Sequence, residues 1–132
     1  MDKVTDVVVV GFGAAGSAAA IEAADAGAKV LILEKMRRPG GAVYMSKGLV
    51  YGAGTSVQRA AQITDSADAM YDYMMATDNM LRDPVLSRVL ADKSAEAVEW
   101  LLQLGVDFPP EELAISGDER EYARISPPSP RA

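Results

Sequence analysis

The stretch DVVVVGFGAAGSAAA, residues 6–20, limits this chain more than any other feature. From Val4 to Val10 the residues are nearly all stiff β-branched ones, the mark of a short strand buried on both faces. Three glycines spaced G-x-G-x-x-G follow at once. From Gly13 to Ala26 the alanine-rich sequence reads as a helix, and Gly27 takes the C′ position, where a left-handed backbone is wanted. Lys29 to Leu33 (KVLIL) is a second apolar strand. A strand, a helix and a strand in so short a span form a βαβ unit, whose strands must run parallel. The fold class is therefore α/β, with a Rossmann-like start.

Each glycine has its own task. Gly11 permits the tight turn out of the strand, Gly13 removes a side chain so that a pyrophosphate can approach, and Gly16 lets the helix lie on the sheet. The amides around Ala14 and Ala15, unpaired at a helix N-terminus, are the expected donors to the phosphates. Glu34, at the end of the second strand, is an acceptor for a ribose diol, and its charge would repel the 2′-phosphate of NADP. The alternative is that the glycines serve packing alone and Glu34 is a solvated strand end.

After Glu34 the texture changes. Residues 36–55 contain Gly40, Gly41, Gly48, Gly52 and Gly54 without a sustained period, and read as an ordered loop with short extended pieces. An NAD domain would pass from the second strand into another helix; here Pro39-Gly40-Gly41 brings bare backbone back toward the dinucleotide, which favours a flavin. Helices resume in 65–105. One is capped by Asp65 or Ser66 and runs to about Asn79. The next has Asp83 as cap and Pro84 at its first position, and ends at Gly105. Its apolar residues Val85, Leu86, Val89, Leu90, Ala97, Val98, Leu101 and Leu102 suit a core-facing stripe. Residues 106–132, with Pro109-Pro110 and SPPSPRA, read as a connector unsuited to helix or central strand.

Composition removes several classes. Thirteen basic and 19 acidic residues give a net charge of −6, unlike a nucleic-acid footprint. The chain has no cysteine and no histidine, so it lacks a thiolate site and the commonest metal ligand and general base. No metal site is expected. No apolar run is long enough to span a membrane, and a cytoplasmic location is the default expectation.

The segments DVVVVGFGAAGSAAAIEAADAGAKVLILEK, RRPGGAVYMSKGLVYGAGT, TSVQRAAQITDSADAMYDYM and WLLQLGVDF together resemble the FAD-dependent fumarate reductase/succinate dehydrogenase flavoprotein superfamily. Within it they look most like the soluble, 3-ketosteroid dehydrogenase-like branch. The resemblance implies FAD binding at Gly11, Gly13, Ala14, Ala15, Gly16, Glu34, Lys35, Gly40, Gly41, Ser46 and Gly48, with Ala42 and Lys47 in the same loop. There are departures. Ala42 and Val43 stand where polar residues are often found, and Ser46-Lys47-Gly48 replaces the usual Ser-Gly-Gly. Lys47 either brings a cation to the flavin or points to solvent. The membrane-bound branch attaches its flavin through histidine, so FAD held by this segment is expected to be non-covalent.

The resemblance further implies an oxidoreductase that adds or removes hydrogen across a C–C bond next to a carbonyl or carboxylate. Family members are several times longer, so the remaining strands, the substrate-capping domain and most catalytic groups are expected downstream of Ala132. A companion polypeptide carrying them is the expected partner. Tyr122 is a candidate proton carrier by resemblance, with surface packing as the alternative. Arg37 and Arg38 read as a solvated pair, with neutralisation of phosphate as the alternative, and Trp100, Tyr71 and Tyr73 as core or interface packing residues. Two other functions stay open: a non-catalytic FAD-fold subunit, prompted by Ala42, Val43 and Lys47, and an NAD-dependent dehydrogenase half.

Overall fold

The computed structural model describes residues 4–46, 48–77, 82–109, 113–115 and 130–131. It divides into two compact units, Met1–Leu49 and Val50–Ala132. The division falls inside the stretch 36–55 that the sequence presents as one loop.

The first unit is the βαβ motif. Strand β1 (Val7–Val10) pairs in parallel with β2 (Val30–Leu33), from Val7↔Val30 to Val10↔Leu33. Both strands are shorter than expected at their starts. Before β1, the Asp6 carboxylate accepts from Lys29 N–H at 2.8 Å, so the chain is tied there through a side chain. Between the strands runs α1 (Ala14–Asp25). It ends as the sequence requires: Gly27 takes φ +88, Gly27 N–H donates to Ala24 O and Ala28 N–H to Ala23 O. That pair of bonds satisfies carbonyls the helix itself leaves open.

The strands do not show the expected burial on both faces. Helix α1 packs on the side of Val9, and Val7, Val9, Val30 and Ile32 are half-buried there. On the other side, Val8, Val10, Leu31 and Leu33 are 50, 83, 41 and 49% exposed. A parallel sheet acquires two covered faces from helices on both sides, and among the described residues this unit has only α1.

After β2 the chain forms a 3-10 turn at Gly41–Met45, in place of the short extended pieces anticipated there. Gly40 and Gly41 adopt φ +112 and +51, left-handed values that drive the backbone into a tight coil and are open to glycine at little cost.

The second unit contains α2 (Ser56–Ala60), α3 (Ala67–Thr77) and α4 (Pro84–Gln103). Helix α3 starts at Ser66, whose hydroxyl accepts from Ala69 N–H at 3.1 Å. Its expected end at Asn79 lies outside the described residues. Helix α4 is capped by Asp83, which accepts from the amides of Val85 and Leu86, with Pro84 in the first turn. Gly105, at φ +87, closes it.

The core face of α4 is not the expected stripe. Ser87, Ala91, Ser94 and Val98 are buried, while Val85, Leu86, Val89, Leu90 and Ala97 are exposed; Leu101 and Leu102 are half-buried. Only Val98 of the anticipated set is buried. Small residues let α4 lie close to α3, whose Met70 and Met74 fill the space with Ala53 and Ala91. Across the same pair, Arg88 donates to Asp68 at 2.8 Å, pairs with Asp92, and stacks over the Tyr71 ring.

Near the end, β3 (Ala114–Ile115) and β4 (Pro130–Arg131) form a two-residue antiparallel ladder. Pro130 therefore does enter a strand in the tail read as a connector, a two-residue strand with a single partner, the edge setting proline tolerates. Tyr122 lies outside the described residues. Among those described, no helix is long and apolar enough to cross a membrane.

Candidate functional site

The turn between β1 and α1 is held by bonds to the chain that follows it. Gly11, at φ +98, donates its N–H to Leu33 O at 2.7 Å. Phe12 is gripped at both ends of its backbone: its N–H donates to Glu34 Oε2 at 2.8 Å, and its C=O accepts from Gly40 N–H at 2.6 Å. Gly13 then serves as the N-cap of α1, and its carbonyl accepts from Ser17 N–H at 2.9 Å. Among the described residues no side chain caps this helix, and Ala14 and Ala15 are exposed.

The three fingerprint glycines answer different demands. Gly11 needs its left-handed φ. At Gly16 an added Cβ would run into the Gly11 carbonyl oxygen and lie 3.0 Å from its carbon and 3.3 Å from Val9 Cγ1, so glycine permits the helix–strand approach. Gly13 is different. Its φ of −90 suits any residue, and an added Cβ would meet nothing nearer than Gly40 O at 3.9 Å. Among the described residues nothing requires a glycine there. The bare Cα instead leaves room beside the first-turn amides of α1, the arrangement that suits a diphosphate.

Glu34 has both carboxylate oxygens on backbone amides, Oε1 accepting from Met36 N–H and Oε2 from Phe12 N–H, each at 2.8 Å. These bonds, led by that from Met36, hold its carboxyl below the ordinary range. Each oxygen has a second acceptor site, so these contacts are compatible with sugar hydroxyls. Gly41 comes near the same turn, an added Cβ there lying 3.7 Å from Gly13 Cα. Gly11, Gly13, Gly16, Glu34, Gly40 and Gly41 are thus brought together. Lys35 and Ala42 are exposed; Ser46 Oγ donates to Val43 O at 2.8 Å, closing the 3-10 turn; and Gly48 adopts φ +82. Lys47 lies outside the described residues. Among these residues no His, Cys, Asp or Glu cluster has a metal-binding arrangement.

Sequence reasoning missed a polar network in the second unit. Thr55 and Gln58 form a reciprocal capping box that starts α2, for which T-x-x-Q in TSVQ was an available signal. Ser94 Oγ accepts from Ala53 N–H at 3.1 Å. Glu99 accepts from Ser56 N–H at 2.7 Å and from its hydroxyl at 2.8 Å, bonds that hold its carboxyl below the ordinary range.

With this geometry in hand, comparison with known proteins is decisive: residues 6–126 match the family model described as FAD binding domain. The chain belongs to the FAD-binding domain family. It is 42% identical over 103 residues to a fumarate reductase (cytochrome) of Shewanella frigidimarina, a match covering 78% of this chain and 18% of that protein. The crystal structure of 3-ketosteroid-delta4-(5alpha)-dehydrogenase from Rhodococcus jostii, in complex with 4-androstene-3,17-dione, superposes with a TM-score of 0.81 at 37% identity. That superposition covers 96% of this chain and 30% of the dehydrogenase. The open conformation of a flavocytochrome c3 fumarate reductase gives 0.72 at 34% identity, covering 86% and 20%. The expected kinship of this FAD-binding domain with fumarate reductases and ketosteroid dehydrogenases is borne out. The domain spans less than a third of each of these relatives.

Proposed function

We propose that this chain is the cofactor-gripping N-terminal portion of a flavoenzyme that adds or removes hydrogen across a C–C bond next to a carbonyl or carboxylate. The observation that carries the reading is Gly13: it lacks a side chain where the described residues leave room for one, beside a helix N-terminus. FAD fits that cradle. The amides of Ala14, Ala15 and Gly16 receive the diphosphate, with Gly11 and Gly13 shaping the approach. The outer acceptor sites of Glu34 take the ribose hydroxyls, with Lys35 beside it. Gly40, Gly41, Ala42, Ser46 and Gly48 line the way toward the flavin end. No histidine is present for a covalent tether, so these contacts hold the cofactor non-covalently. Bound FAD supplies the two-electron exchange with the substrate carbon.

The substrate is a small molecule with an activated C–C bond. Kinship with both a fumarate reductase and a ketosteroid dehydrogenase supports that class. The groups that polarise it, and the partner strands for β1 and β2, come from polypeptide equivalent to the rest of those longer relatives. The test is to purify the native particle, identify every polypeptide and extracted cofactor by mass spectrometry, and follow its visible absorption. We expect FAD, a companion polypeptide, and absorption that responds to fumarate or an enone steroid. Absence of flavin overturns the reading.

A further inference from the structure

We propose that Glu34 is a positioning residue for the diphosphate turn, acting through the backbone of Phe12 in addition to any contact with a sugar. This rests on the functional reading above for what the turn binds; the turn's own conformation does not depend on that reading.

Phe12 is the residue between the two glycines that bend and bare the turn. A segment with Gly11 at φ +98 and a second glycine at Gly13 gains little from its own backbone preferences in fixing its shape. Besides the bond from Gly11 N–H to Leu33 O, the structure supplies two from outside at Phe12: the Glu34 carboxylate on Phe12 N–H and the Gly40 amide on Phe12 C=O. Both come from the chain just beyond β2. Glu34 is also anchored at its other oxygen, by Met36 N–H. The carboxylate is thereby a bridge between the start of the loop after β2 and the turn after β1. Its charge strengthens both bonds, since an ionised acceptor makes shorter and stronger ones than a neutral carbonyl. A group whose sole task was to await a sugar would need neither amide.

The experiment is hydrogen exchange on the native particle carrying Glu34→Ala or Glu34→Gln. Alanine removes both bonds. Glutamine has a single acceptor oxygen and keeps at most one, its NH2 being a donor set against a donor. We expect Glu34→Ala to speed exchange in residues 11–16 by about tenfold or more, as loss of a charged acceptor implies. Glu34→Gln is expected to do so by less, and residues 18–25 of α1 to be unchanged in both variants. Unchanged exchange at 11–16 alongside weaker FAD retention overturns the proposal, leaving Glu34 a ligand for the nucleotide alone. Loosening that spreads equally through 18–25 overturns it too, in favour of a general structural role. Should the unaltered particle contain no flavin, the functional reading fails, and the exchange result still decides whether Glu34 holds the turn.

Discussion

Gly16 sits against the carbonyl of Gly11 so closely that no side-chain carbon fits between them. The obstruction is backbone, and backbone cannot rotate aside. Gly16→Ala therefore forces α1 off β1, and we expect it to cost about 3 kcal/mol, the upper part of the usual range for overpacking. Urea denaturation followed by far-UV circular dichroism measures it.

Gly13→Ala is the contrasting case. The added methyl has space, and its backbone angles suit alanine. Stability is expected to change by less than about 1 kcal/mol, with loss of unfolded-chain entropy offsetting a poorer cap. Flavin retention is expected to drop sharply. Cofactor content after gel filtration, set beside the melting curve, separates the two effects.

Ser94→Ala leaves the Ala53 amide without its partner in a buried setting, since Ser94 is 2% exposed and Ala53 3%. An orphaned buried donor costs about 1–3 kcal/mol, and we expect a fall in the thermal midpoint to match. A gain or no change would mean that the 52–55 turn is held by other contacts.

Acid is expected to weaken both units. The carboxyls of Glu34 and Glu99 are held below their ordinary value by amide donors. A carboxyl depressed in the folded protein contributes its stability above the unfolded pKa, about 4.3. That contribution is lost as the pH falls through the lower folded value. Urea midpoints should thus decline from about pH 4 downward, and Glu99→Gln should flatten part of that decline. An identical pH profile in the variant would remove Glu99 from the account.

The sequence was legible where chemistry is local. The β-branched run, the spacing of Gly11, Gly13 and Gly16, the closing glycines Gly27 and Gly105, and the Asp83-Pro84 start each act within a few residues of themselves. They appear in the structure with only small shifts of boundary. The face of α4 was misjudged because Val85, Leu86, Val89 and Leu90 are as periodic as any buried stripe. What turns Ser87, Ala91 and Ser94 inward is the neighbouring helix, whose Met70 and Met74 take up the volume that large residues on α4 would have filled. The second bond of Glu34 was hidden for the same reason: its partner is a backbone amide 22 positions earlier, brought near only once β1 and β2 are paired.

The bare side of the two-stranded sheet has a practical corollary. Val8, Val10, Leu31 and Leu33 form a fixed raft of aliphatic groups in contact with water. Handled by itself at high concentration, such a surface adheres to its own kind, to resin and to glass, and sulfate salts make this worse. Recovery of the isolated domain is therefore expected to improve with dilution and with a buffer anion other than sulfate.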